Sequence, residues 1–250
     1  MRGKAHAAVG LLTYYNFSLL TGTPLDIASA ALSVSFSLLP DLDHFQSLIS
    51  KKLSNPLLEK IFESILISLI LFPTLYIFKV KGFHFYLSSV TVIFLTAFIG
   101  MFIKKSVLRK LSISFSILCL YFILRRILPD KQWIYFAAFL CLLPWFSHRS
   151  FSHSLTAALC LFFSLKSLWP SLAPVCTIAY GSHLLLGDLW TPSGIPLFFP
   201  FSKKRFRLIQ TAKPSKKILP LIEILILSAL SALAFYLTLI LLQANKSKPS

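Results

Sequence analysis

Apolar positions in this chain run in long stretches, and the polar residues are gathered into a few short strings between them. Stretches 61–78, 85–103, 111–124, 132–146 and 221–242 are each bounded by Lys, Arg, Pro or Gly. A bilayer core of about 30 Å needs roughly 20 apolar residues per spanning helix, so each of these predicts a membrane helix. Four further stretches, 6–20, 25–39, 153–168 and 172–187, are shorter and richer in Ser, Thr, Ala and His. Small residues at that density let helices approach closely, which suits positions inside a bundle better than positions against lipid. The predicted fold class is therefore all-α: a polytopic transmembrane helical bundle of about 7–9 membrane-embedded helices. A single membrane-embedded domain is expected over 1–250, with the polar strings in 6–202 and a last transmembrane helix at 221–242.

Composition agrees. Of the 250 residues 56% are hydrophobic and the mean hydropathy is +0.76, which excludes an ordinary soluble domain. The opening MRGKAHAAVGLL has the basic end and apolar run of a signal peptide, but no convincing small-x-small site follows. It reads as a retained helix that keeps His6. Cys119, Cys141, Cys160 and Cys176 are scattered through apolar stretches without ligand spacing, and read as small buried hydrophobes. There is no internal repeat or soluble domain, and the one long polar stretch is 201–217.

Scarcity makes the charged residues informative, because there are only eight acids and six histidines. Asp26 suits a helix start, Glu59 and Glu63 open the helix near Ile61, Asp130 lies in a loop, and Glu223 begins the last helix. That leaves Asp41, Asp43 and Asp188. They fall in strings that also hold histidine: PDLDH (40–44), HRSFSHS (148–154) and SHLLLGDLWTPSG (182–194). With His6, five of the six histidines join this set; only His84 stands apart, as a membrane-interface residue. Imidazole and carboxylate are the ligands that zinc-like ions take from proteins, and a lone ionised group in a bilayer needs a partner.

A parity count brings these strings together, since each spanning helix moves the chain to the opposite face. From His6 two helices return to PDLDH, four more return to HRSFSHS, and a last pair delivers His183 and Asp188. Pro40 ends the second helix, because proline disfavours helical geometry in the residue before it. On this nine-segment count the shared face carries seventeen of the 25 Lys and Arg residues and the opposite face eight, which puts the site on the cytoplasmic side.

In this order, an early His, LPDLDH, HRxFxHS, and SHLLLxD with TPxGxPLxxPFS, the strings resemble the YdjM-type membrane-bound metal-dependent hydrolases. That family is also described as LexA-binding, inner-membrane-associated hydrolases. The matching pieces run from His6 to Ser202, about four fifths of the chain. The resemblance implies hydrolysis at a metal centre in the bacterial inner membrane. Carried over position by position, it implies His6, Asp41, Asp43, His44, His148, His153, His183 and Asp188 as metal ligands, enough for more than one divalent ion, zinc being the expected metal. A distant likeness to zinc-dependent phospholipase C points to phosphoesters, by analogy alone.

One spacing departs from the family pattern, in which the last His and Asp stand four apart. His183 and Asp188 stand five apart, about 140° around a regular helix instead of about 40°. A one-residue π-bulge at Gly187 would realign them; without it, one of the two is no ligand, and His183 is the safer choice. His148 and His153 are also five apart, but they follow a helix end, and Ser152 or Ser154 is placed to cap the next helix. Between them Arg149 suits either a grip on a phosphate or carboxylate or a snorkelling position at the membrane edge. The basic stretch 203–217 reads as an anionic-lipid contact, with substrate binding a weaker reading. The prolines and glycine of TPSGIPLFFP (191–200) predict a rigid bend, in which Trp190, Phe198 and Phe199 suit packing more than an acyl-chain entrance.

The leading functional expectation is a metal-dependent hydrolase, with metal-activated water attacking a lipid or other phosphoester-type substrate at the cytoplasmic face. Asp41 or Asp43 would bridge ions or act as base, and Arg149 would hold the substrate. No GxSxG or other nucleophile motif competes. One alternative is a divalent-metal transporter or channel, although the polar strings lie at helix ends and not at mid-membrane. Another is a non-catalytic membrane protein that binds a regulatory protein partner, in keeping with the family's other label. Membrane lipid is the expected partner, and no direct contact with nucleic acid is expected.

Overall fold

The computed structural model describes residues 3–43, 50, 54–80, 94, 104–127, 133–209 and 218–246. The helices delimited within them are α1 (Gly3–Thr21), α2 (Ile27–Leu38), α3 (Pro56–Val80), α4 (Lys105–Ile127), α5 (Trp133–Leu142), α6 (Leu155–Lys166), α7 (Leu172–Ser182) and α8 (Ile218–Lys246). Short 3-10 segments cover Leu39–Asp43, Leu143–Trp145, Phe151–His153 and Asp188–Trp190, and a π turn covers His183–Gly187. The described residues contain no strand; one isolated antiparallel bridge joins Ile195 to Phe206.

The all-helical expectation holds, and the expected 7–9 membrane-embedded helices are met only in part among the described residues. Among the described residues three segments are long and apolar enough to cross a membrane: Lys105–Ile127, Leu172–Trp190 and Ile218–Gln243. Trp133–Trp145 and Leu155–Lys166 are apolar but shorter, and the predicted helix at 85–103, apart from Phe94, lies outside the described residues. The short helices stop where polar strings and helix-breaking residues take over. Thus α2 ends two residues before Pro40 and continues as a 3-10 turn through Asp43. Likewise α5 gives way to the 3-10 segment that contains Pro144.

Local chemistry explains the other boundaries. Gly22, at φ +70°, takes the left-handed conformation that follows α1. Asp26 caps α2 by accepting from the Ser29 amide at 2.8 Å. Ser154 caps α6 by accepting from the Ala157 amide at 3.1 Å, which settles the choice between Ser152 and Ser154.

The segments rich in small residues do lie inside. Ser33, Ser37, Ala157, Ala173 and Cys176 are fully buried, whereas α8 shows most of its apolar surface, including Leu221, Leu225 and Phe235. The core runs through Leu143, Leu161, Leu165, Tyr180 and Leu184, and so joins α5, α6 and α7 to the turn that follows α7. All four cysteines are free thiols. Against this core α1 and α2 pack closely, because a Cβ added at Gly10 would overlap the Ser37 side chain and lie 3.2 Å from the Ser33 carbonyl.

Gly10→Val should therefore lower stability by about 1–3 kcal/mol, as overpacked cores do. Leu225→Ala, on the exposed face of α8, should change it by less than about 0.5 kcal/mol. Thermal unfolding of the two variants in the same detergent tests the contrast; equal melting shifts would refute the tight α1–α2 seam.

Candidate metal site

Five helix ends meet at one place, and each brings a polar side chain. His6 stands in the second turn of α1; Asp41 and Asp43 lie in the 3-10 turn after α2. His148 follows α5, His153 closes the 3-10 turn before α6, and His183 and Asp188 bracket the end of α7. His6, Asp43, His153, His183 and Asp188 are buried. Asp41 and His148, with side chains 25% and 34% exposed, form the open edge. His44, residues 210–217 of the basic stretch and His84 lie outside the described residues.

The donor atoms face one another. His153 Nε2 stands 3.0 Å from Asp188 Oδ2 and 3.8 Å from Asp41 Oδ1. His183 Nε2 stands 3.4 Å from Asp188 Oδ2 and 3.7 Å from Asp41 Oδ1. The His6 ring stacks on that of His183, centroids 3.8 Å apart. Three overlapping triads have donor atoms within 4.8 Å of one another: His6, Asp41 and His183; Asp41, His148 and His153; and His153, His183 and Asp188.

Two local devices produce this convergence. The first is the π turn. The Asp188 amide hydrogen-bonds to the carbonyl of His183, five residues back, so the turn absorbs the extra residue that would have sent the two side chains apart. The second is Gly187, where an added Cβ would overlap the His6 ring, 2.7 Å from Nδ1. Any larger residue would hold α1 away from α7.

Ring orientation is set from outside. His183 Nδ1–H donates to the Ser37 carbonyl at 2.7 Å; a carbonyl only accepts, so the Nε2 lone pair faces the cluster. Asp43 belongs to none of the three triads. Its Oδ1 lies 2.8 Å from His148 Nδ1, and its Oδ2 accepts from the Ser152 hydroxyl and stands 3.5 Å from His153 Nδ1. Tyr180 fixes that turn by donating to the Ser152 carbonyl. Arg149, at φ +57°, turns its guanidinium to Asp188 Oδ1 at 3.3 Å, to Thr191 Oγ1 at 3.1 Å and to the Ser193 hydroxyl. Arg205 and Arg207 donate to the carbonyls of Ser193 and Pro192, which ties the described part of the basic stretch to the same bend. There Gly194, at φ +57°, faces the Phe206 carbonyl.

Electrostatics follow from this packing. Burial opposes ionisation of Asp43, yet hydrogen bonds from His148, His153 and Ser152 hold its carboxyl down at about 2. Burial likewise opposes a charge on His153, but its bonds to Asp188 and Asp43 raise it to about 9.

The site accommodates a metal ion on its own geometry. His153 Nε2, His183 Nε2, His6 Nδ1 and Asp188 Oδ2 are buried and find no hydrogen-bond partner outside this His/Asp group. Buried polar atoms are nearly always satisfied, and four of them turned toward one another suit a common partner. Donors bound at about 2.0–2.2 Å to one ion stand roughly 3–4 Å apart, which is the separation seen here. Sequence reasoning did not reach Ser37, Tyr180, Thr191 and Ser193. Ser37 acts through its backbone carbonyl and Tyr180 donates to one, contacts that leave no mark in a sequence, whereas Thr191 and Ser193 stood close to Asp188 in the TPSG string.

Fold and site together define a helical membrane protein with a group of histidines and aspartates, able to hold a metal ion, where its helix ends meet. The chain belongs to the YdjM inner membrane protein family, whose model matches residues 1–246. A stretch of 65 residues is 43% identical to the uncharacterized protein YvsG of Bacillus subtilis; it covers 25% of this chain and 39% of that protein. No solved structure matches.

The contact of His6 with Gly187 yields a test. Gly187→Ala should cost about 1–3 kcal/mol in the natural background and much less in a His6→Ala background, because the overlap is then gone. A double-mutant cycle read by thermal melting in detergent measures the coupling; a coupling near zero would mean that the ring does not lie against the glycine.

Proposed function

We propose that this protein is a metal-dependent hydrolase of the inner membrane, acting at the cytoplasmic face on a lipid or other membrane-delivered phosphoester. The observation that carries the reading is the set of buried donors on His153, His183 and Asp188 that face one another with no partner outside the group, with Asp41 beside them at the open edge. A zinc-like ion bound by these residues and His6 supplies Lewis-acid polarisation of a phosphoryl oxygen and activation of water.

The chain's own residues divide the remaining tasks. Asp41 and His148 line the side from which a substrate arrives, since they are the exposed members of the set. The Asp43 carboxylate holds the His148 ring by Nδ1, the arrangement in which an imidazole takes up and returns a proton at its other nitrogen. Asp43 thereby acts through the two imidazoles it orients. Arg149 holds the outer oxygen of Asp188, so that Oδ2 is turned inward. Burial of His153 and His183 keeps bulk water from the inner donors.

The location of the donors at helix ends supports chemistry at a membrane surface over passage of ions through the bilayer. Exposed Lys203, Lys204, Arg205 and Arg207 supply positive charge beside the site and suit contact with anionic lipid. The excess of Lys and Arg on the same side of the expected topology supports a cytoplasmic orientation.

Purified protein should carry a divalent metal and hydrolyse a member of a lipid and phosphoester panel in a chelator-sensitive way. His153→Ala and His183→Ala should lose both metal and activity, and His148→Ala should keep the metal and lose activity. Arg149→Ala should weaken metal binding about 10–100-fold, as loss of a group that orients a ligand does; a rise in KM at full metal content would instead assign Arg149 to the substrate. A folded, metal-free protein whose melting ignores chelators would sink the proposal.

A further inference from the structure

A cavity of about 550 Å³ lies between α1, α6 and α7, inside the range of about 300–1,000 Å³ that small-molecule sites occupy. Its walls include Thr13 from α1, Ala158 and Leu159 from α6, and Ile178, Gly181 and Ser182 from α7. Leu159 and Leu185 form exposed lips. The wall on α7 belongs to Leu172–Trp190, a segment apolar and long enough to cross the membrane.

Its placement relative to the His/Asp site is the informative point. His6 and Thr13 are seven residues apart on α1, hence on one stripe, and about 10 Å apart along the axis. Helix α6 starts two residues after His153, and α7 runs directly into the π turn at His183. All three walls therefore lead away from site residues. A polar site with an apolar groove behind it has the layout of an amphiphile.

Gly181 is the second, independent observation. A Cβ added there would meet no atom within 4 Å, in contrast to Gly10 and Gly187, where packing requires glycine. A glycine inside a helix costs roughly 0.5–1 kcal/mol relative to alanine. Here no neighbour in the chain uses the space, which opens into the groove.

We infer that this groove holds an acyl chain of a membrane lipid whose head group lies at the His/Asp site, and that Gly181 keeps the room for it. The inference rests on the hydrolytic reading for the head group but on the groove alone for the chain. The test uses the full chain in detergent micelles doped with phosphatidylglycerol that carries a diazirine on its acyl chain, followed by irradiation and peptide mapping. Label on α6 and α7 should saturate and be competed by unlabelled phosphatidylglycerol, while label on the exposed face of α8 should rise without saturation. Gly181→Leu should cut the groove label about tenfold or more, the effect of losing roughly 1.4 kcal/mol of binding, with α8 label and metal content unchanged. Gly181→Ala should melt no lower than the natural chain, and Leu159→Trp blocks the groove from its other wall if Gly181→Leu does not fold. Groove label that fails to saturate, ignores both blocking variants, or is replaced by adducts to a second copy of the chain would overturn the acyl-chain site. Saturable groove label in a protein that binds no metal would overturn the hydrolytic reading alone.

Discussion

The constraint on which the rest of the structure depends is that a buried polar atom must find a partner. Four donors at helix ends, on His6, His153, His183 and Asp188, are buried together with no hydrogen-bond partner outside their own group. A membrane protein has little water to soften that cost, so the arrangement persists only if something satisfies the set as a group. The surrounding features serve this end. Ser37 turns one imidazole, Asp43 holds two, and Arg149 fixes the carboxylate that faces them. His153 stands between the carboxylates of Asp188 and Asp43, at 3.0 and 3.5 Å.

Holding these groups in place dictates where helices stop. Five helices end or begin at the site, and four of the five breaks use 3-10 or π geometry instead of a plain α-helical terminus. Such turns let side chains project into one space from elements that otherwise only pass one another. Small residues have a complementary task. Gly10 brings α2 against α1, and Gly187 brings α1 against the end of α7; both place backbone where a side chain would otherwise stand. Gly181 differs from them, since the room beside it lies open toward the groove.

Much of the fold was legible because a bilayer demands helices and length. Apolar stretches, Pro40, Asp26 and Ser154 marked where helices lie and end, and scarcity of acids picked out Asp41, Asp43 and Asp188. The five-residue spacing of His183 and Asp188 left two readings, a π turn or a pair that diverges, and the π turn is there. Less legible was which segments are long enough to span, because α2, α5 and α6 are only 12, 10 and 12 residues long in the fold.

The sequence by itself determined the class of protein, an all-helical membrane chain, and the short list of polar residues with chemistry to offer. Hydropathy and rarity are properties of single positions, so a linear reading captures them. Only the tertiary structure decided how those residues divide their work. Asp41 and Asp43 stand two apart in one string, yet one lies at the open edge among the donors and the other behind two imidazoles. Arg149 is held by Asp188, Thr191 and Ser193, residues some forty positions away. Such roles depend on which atom of a side chain faces which neighbour, and that direction is set by helix ends and ring orientations that form only when distant segments pack.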